Sequence, residues 1–397
     1  MKKLFYFMVI AVSITACKKD DEQTEPQALL KEYRFLRMIV SDEQTNQITY
    51  LNLYDDTKIN FETKFPKSAV YTSGSGRFAA IAHTNNNLAE TFDSGLEFHG
   101  NHVDTKGTPK FGLMVSESLK PTHFKAKNNE LLFFNDGDAS LSYGSESSIH
   151  TQAKMTTINT GLIAHHGAMA HFSNGTYAVT SKDNSVKGPL PERVIIIDKT
   201  GKELHKSTIA TTGIHGSATD GENALFGSAS GILVISSAGA QRLIPYPNDF
   251  GTAWFGTILE TSIGNKFIGY TAAKGAYLID ISANTISPLM VNTDIMQIKT
   301  SYDLSKLGVL LHSGLMKIID LRTNKTDFEQ NITEATDKSS TQKPQMVMSN
   351  RYIYIALPKS GEIQKTRIAQ PSTATKIKVS ANPYRIAIIG HESDESH

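Results

Sequence analysis

Short apolar runs broken by turn signals recur along the whole chain, and no long window sustains the 3.6-residue spacing of an amphipathic helix. "GRFAAIAH", "ELLFFND", "GTYAVTS", "RVIIIDK", "GILVISS", "NKFIGYT", "RYIYIAL" and "YRIAIIG" have strand length and are rich in β-branched and aromatic residues. Between such runs stand "NDGD", "SNGT", "KTGK", "TDGEN", "SAGA" and "KSGE". There Gly, Asn and Asp supply the left-handed backbone and local hydrogen bonds that tight turns need. Turns every 8 to 12 residues or so predict an all-β chain.

A longer period lies above this one. An apolar strand, a turn and a "G-x-x-x-I/L-I/V-D/S" strand repeat, as in "GILVISSAGAQRL", "GAYLIDISANTI" and "GLMKIIDLRTNK". The repeat spans roughly 40 to 50 residues, the length of a four-stranded propeller blade, and about eight such units follow Glu32. The last strand, "NPYRIAIIGH", stands alone, while the first three, from Tyr33 to Phe65, lack an innermost partner. Pairing them would close a ring and remove open edges. The expectation is a single β-propeller of eight blades, with seven as the alternative; a two-sheet sandwich fits the length and repeat poorly.

Composition then narrows the setting. The 397 residues are 39% hydrophobic with a net charge of +1, so no basic stripe argues for nucleic acid. "MKKLFYFMVIAVSITAC" has a basic start, an apolar core too short for a permanent membrane span, and small residues before Cys17. "ITAC" resembles the lipobox of bacterial lipoproteins, and Cys17 is the chain's one cysteine. The expected organisation is a lipoprotein signal peptide over 1–16, then a lipidated Cys17 with a disordered tether over 17–31. A propeller over 32–391 and a disordered tail over 392–397 complete it. "KKDDE" after the cysteine resembles an export tag, which implies an outer-membrane anchor on the periplasmic or the cell-surface face.

Histidines carry the candidate chemistry. His123, His166 and His215 each begin an apolar or small-residue strand and are spaced by about one blade. Residues at equivalent places on adjacent inner strands converge on the central channel. Three neutral imidazoles held there would suit zinc; packed core histidines are the other reading. Asp136, on the hairpin after His123, is a possible fourth ligand, although Asn-Asp-Gly sequences ordinarily serve the turn itself. The glycines after His166 and His215 would admit close approach. A second cluster, His99, His102 and Asp104 in "EFHGNHVDTKGTP", reads as a polar loop able to hold metal locally. No nucleophile elbow, His-Glu-x-x-His motif or phosphate loop is present.

The ordered set "YTSGSGRFAAIAH", "FHGNH", "PTHF", "FFNDGD", "AHHGAMA" and "IHGSA…ALFGSASGILVI" resembles the AztD-type periplasmic zinc metallochaperones from about Tyr71 to Ser236. The resemblance implies a propeller that binds zinc and hands it to the solute-binding protein of a zinc importer. It also implies a main site around His123, Asp136, His166 and His215, with His165 as a neighbour, and a mobile auxiliary loop at His99 and His102. This chain departs from the family in two places. Thr212 and Ser228 stand where the family carries cysteines, and the His99 loop is poorer in histidine. The expectation is a monomeric, non-enzymatic zinc chaperone or reservoir. A metal-free scaffold propeller and a metal-dependent hydrolase or lactonase are the alternatives.

Overall fold

The computed structural model describes residues 31–396. The expected signal peptide, Cys17 and all but the last residue of the expected tether fall outside the described residues. From Glu32 onward the chain forms one compact unit.

Among the described residues there are eight four-stranded antiparallel sheets and one two-stranded hairpin. Each sheet is a propeller blade. Blade 1 joins the N-terminal strands Leu36–Asp42, Gln47–Asn52 and Lys58–Glu62 to the C-terminal strand Pro383–Gly390, which is innermost. Blades 2 to 8 follow in order over 69–116, 121–158, 169–205, 214–244, 257–291, 295–331 and 345–378. The closure read from the orphan last strand is therefore the one the chain adopts, with Met38 opposite Ile388 and Ile39 opposite Ala387.

Why blades rather than a barrel follows from which faces are apolar. Side chains alternate between the two faces of a strand. Strands such as Phe78–His83 and Glu130–Asn135 are nevertheless buried at every position, so both faces of the sheet are covered. Each of the eight seams between adjacent blades is filled by its own apolar cluster. Leu36, Met38, Tyr354 and Ile388 fill the seam between blades 8 and 1. Ile39, Ile81, Phe92 and Ile389 fill that between blades 1 and 2. Burying such a side chain contributes roughly 1.5–3 kcal/mol, so the seam that closes the ring stabilises as much as any other.

The recurrent Asp at the end of the third strand has a defined task. The carboxylates of Asp198, Asp280 and Asp320 accept backbone N–H bonds from Thr200, Ser282 and Arg322 at 2.8–3.0 Å, closing the turn to the outermost strand.

The inner strands run in one direction along the channel. The propeller thus has a front face, where inner strands begin, and a back face, where they end. Residues 392–396, expected as a free tail, are instead held at the back. Asp394 accepts from Arg34 N–H and pairs with Arg351 at 2.9 Å, and Glu395 O accepts from Val103 N–H at 3.0 Å.

Candidate metal centre

Three consecutive blades bring His123, His166 and His215 together at the front mouth of the channel. His123 lies on the inner strand Pro121–Lys127, directly after an irregularity in its pairing with the next strand. His166 sits in the segment leading into Met169–His171. His215 is the second residue of Ile214–Thr219, beside another register shift. Bulges re-aim side chains, and here two of them tip imidazoles toward one point.

The glycines behave as their spacing suggested. A Cβ at Gly167 would stand 2.3 Å from the Phe134 ring. Gly216 has φ of +75°, and a Cβ there would lie 2.7 Å from Gly256 O. A larger residue at either place would push its histidine off target.

The ligand nitrogens of the three imidazoles lie within 4.8 Å of one another, and His123 Nε2 is 3.4 Å from His166 Nε2. A tetrahedral zinc with Zn–N of about 2.0–2.1 Å holds its ligands about 3.3–3.4 Å apart, so that spacing needs little adjustment. The tautomers are set from behind. His166 Nδ1 donates to Asp136 Oδ2 at 2.6 Å, and His215 Nδ1 donates to Gly256 O at 2.6 Å. Both acceptors lack a proton to give, so both Nε2 atoms present lone pairs forward.

Asp136 serves turn and site at once. Its N–H donates to Lys120 O at 3.0 Å, tying the turn to the stretch that leads into His123, and Gly137 N–H donates to Leu119 O at 3.1 Å. The carboxylate faces the other way, onto His166 and the Gly167 N–H. It stands behind an imidazole rather than beside the convergent nitrogens.

The electrostatics match. Burial, and then the neighbouring His166, push His123 down to about 4, so it is neutral and ready to ligate at physiological pH. The hydrogen bond to Asp136 raises His166, so a proton competes with metal there first as pH falls.

His165, placed by resemblance beside the site, points away from it. Its Nδ1 donates to Ile163 O at 2.7 Å, its Nε2 meets Thr180 Oγ1 at 2.9 Å, and its ring packs on Phe134 at 5.1 Å. Both nitrogens are committed, and burial lowers its pKa.

His99, His102 and Asp104 lie on a hairpin, Leu96–His99 and His102–Thr105, rather than an irregular loop. Their ligand atoms also fall within 4.8 Å of one another, with His102 Nε2 3.3 Å from Asp104 Oδ1. Phe98 stacks on His391 at 5.3 Å, and His391 directly follows the last inner strand, so this hairpin caps the back face. The two clusters occupy opposite ends of the channel.

Sequence reading missed Gly256 and Thr180. Gly256 precedes the inner strand of blade 6, one blade on from His215, so blade alignment marks its place. Its contribution is a carbonyl, which no side-chain pattern announces.

No family model matches the chain. It is 23% identical over 391 residues to the zinc chaperone AztD of Citrobacter koseri, across 91% of this chain and 90% of that one. The chain resembles a zinc chaperone along nearly its whole length. The crystal structure of Citrobacter koseri AztD superposes with a TM-score of 0.82 at 20% identity, covering 91% of this chain and 100% of that one. Dihydro-heme d1 dehydrogenase NirN in complex with DHE matches with a TM-score of 0.61 at 12% identity, covering 88% and 74%. The AztD structure matches the eight-bladed arrangement, and the second likeness speaks for the fold alone; the resemblance first read from motifs between Tyr71 and Ser236 extends well beyond them.

Proposed function

We propose that this protein is a zinc metallochaperone, carrying one zinc at the front mouth of the channel on His123, His166 and His215. The observation that carries the reading is the convergence of three imidazoles, two of them held from behind with their Nε2 lone pairs forward. The similarity to a zinc chaperone supports zinc as the cargo. Asp136, the carboxylate nearest the imidazoles, is engaged with His166 and Gly167 N–H, which supports a carrier over a hydrolase needing a free base. Three protein ligands leave a fourth position for water or for a donor from a receiving protein, the arrangement a site needs if it is to release its ion.

In this reading Cys17 carries a lipid that anchors the propeller to the outer membrane, and a zinc importer's solute-binding protein receives the cargo. The hairpin cluster His99, His102 and Asp104 is a separate, weaker metal site. The test is zinc content and affinity of the purified protein beside the double variant His166→Ala, His215→Ala. One tightly held zinc, lost in the variant with the melting temperature of the metal-free forms unchanged, is expected. Metal-free protein indifferent to added zinc would sink the proposal.

A further inference from the structure

Behind the imidazoles the channel turns basic. Lys125 and Lys127 share a face of Pro121–Lys127 with His123, by the two-residue period of a strand. Their ammonium groups reach across to Ser217 O at 2.6 Å and Thr219 O at 3.2 Å on the inner strand of blade 5. Glu260 offsets this pair: it acts on Lys125 and accepts from Thr219 N–H at 3.1 Å. On the far side of the channel the balance fails. Lys299, on Ile295–Thr300, and Arg385, on Pro383–Gly390, are near enough to repel each other, and the Lys299 ammonium has no hydrogen-bond or ion-pair partner among the described residues.

Lys299 opens into a cavity of about 220 Å³ bounded by the inner strands of blades 7, 8, 1 and 2. Tyr71, Thr72, Tyr302, Met348 and Ile388 line it with the lysine. The Tyr302 hydroxyl is spent on Gly390 O, and the charge of Glu392 bears on that end. The Tyr71 hydroxyl has no hydrogen-bond partner among the described residues. The cavity thus offers two unused donors, an ammonium and a phenol, on otherwise largely apolar walls. The surrounding blades and then the like charge of Arg385 lower the Lys299 pKa, yet the side chain itself stands exposed on the channel wall, where an incoming ligand can reach it. A site rich in donors and positive charge is complemented by a ligand rich in acceptors and negative charge. The room, equal to on the order of seven waters, suits a small oxyanion and excludes a nucleotide.

We propose that the central channel binds a small multivalent oxyanion, a phosphate or a short di- or tricarboxylate, in this cavity. Lys299 and the Tyr71 hydroxyl donate to it, and Arg385 adds its charge from alongside. The proposal is independent of the zinc reading.

The test uses metal-free full-length protein, with inorganic phosphate and citrate titrated separately by calorimetry and thermal shift against sodium chloride at equal ionic strength. Saturable one-to-one binding of at least one oxyanion is expected, and which one binds tells phosphate from carboxylate chemistry. Lys299→Met should weaken it by about tenfold or more, the scale of a hydrogen bond to a charged group. The metal-free, anion-free Lys299→Met protein should melt like wild type, because the side chain it replaces is exposed on the channel wall. Tyr71→Phe keeps the ring stacked on Phe124 at 5.2 Å and should weaken binding with no loss of melting temperature, which guards against misfolding of the lysine variant. Lys202→Met on the surface should bind like wild type. Shifts no larger than those given by chloride, or wild-type affinity in both Lys299→Met and Tyr71→Phe, would overturn the proposal.

Discussion

Replacing Asp136 by Asn separates a carboxylate that aims a ligand from one that is a ligand. The substitution is nearly isosteric, so the turn bonds to Lys120 O and Leu119 O persist, being made by backbone N–H groups. What changes is the 2.6 Å bond to His166 Nδ1: an amide oxygen accepts it less strongly, and the imidazole becomes a poorer donor to metal. Loss of such a partner lowers metal affinity by about 10- to 100-fold, or about 1.4–2.7 kcal/mol. The pH dependence adds a second signature. Asp136 raises the His166 pKa, so in wild type a proton competes with zinc earlier as pH falls, by about tenfold per unit below that pKa. In Asp136→Asn that competition starts at lower pH, so the gap between the two proteins should narrow from pH 7.5 to pH 6. Competition against a fluorescent zinc chelator at both pH values measures it. A loss beyond about a thousandfold would make Asp136 a direct ligand. A loss under threefold or so, or a gap that widens at pH 6, would refute the positioning role altogether.

Three further outcomes follow from the geometry. His165→Ala should retain one zinc per chain yet lose about 2–4 kcal/mol of stability by denaturant titration, since it empties a buried site and removes the imidazole's bonds to Thr180 Oγ1 and Ile163 O. His171 is pushed down to about 3 by burial and by Lys125, Lys127 and Lys199, whereas unfolded it titrates near 6.5. Between those values the unfolded chain binds more protons, so this residue's contribution to stability is full above pH 6.5 and falls as pH falls. Glu392, pushed up to about 7 by burial, works in the opposite sense. The check is therefore a His171→Gln variant, whose melting temperature should decline less steeply from pH 7 to 5 than wild type; equal slopes would refute it. Replacing residues 96–105 by a Gly-Ser loop should leave the front zinc and its affinity untouched, because the hairpin caps the opposite face; loss of the tight zinc would show that the ends communicate.

How much of this was readable from the chain differs by scale. The period of turns, the Asp that closes the outer hairpins of blades 4, 6 and 7 and the unpartnered last strand are local or counting signals, and they carry the eight blades and their closure. The convergence of His123, His166 and His215 was readable as well, because blade repetition converts sequence spacing into spatial adjacency. Orientation was not. Whether His165 or His166 faces the channel depends on a segment outside the strand ladder, where the two-residue period gives no direction. The tail 392–396 looked free because its holding contacts, Asp394 to Arg34 and Arg351 and Glu395 O to Val103 N–H, link places far apart in sequence.

The same geometry governs how a cargo ion could leave. His123 and His215 stand on strands whose seams are packed apolar clusters, and His166, just ahead of its strand, is held by Asp136 and by its own N–H on Pro189 O, so the ligands cannot spread without disturbing the seams between blades 3, 4 and 5 or breaking those bonds. Release by opening the site is therefore expensive. Release by substitution is not, since the set supplies three nitrogens and faces the front mouth. Backward passage toward the hairpin is opposed by Lys125, whose charge already reaches His123, and by Lys127 beyond it. A cation loaded at the front thus meets like charge behind it. A rigid three-imidazole cup in front of a positive channel favours exchange through the mouth by which the ion arrived, with an incoming donor taking the open position before the histidines let go.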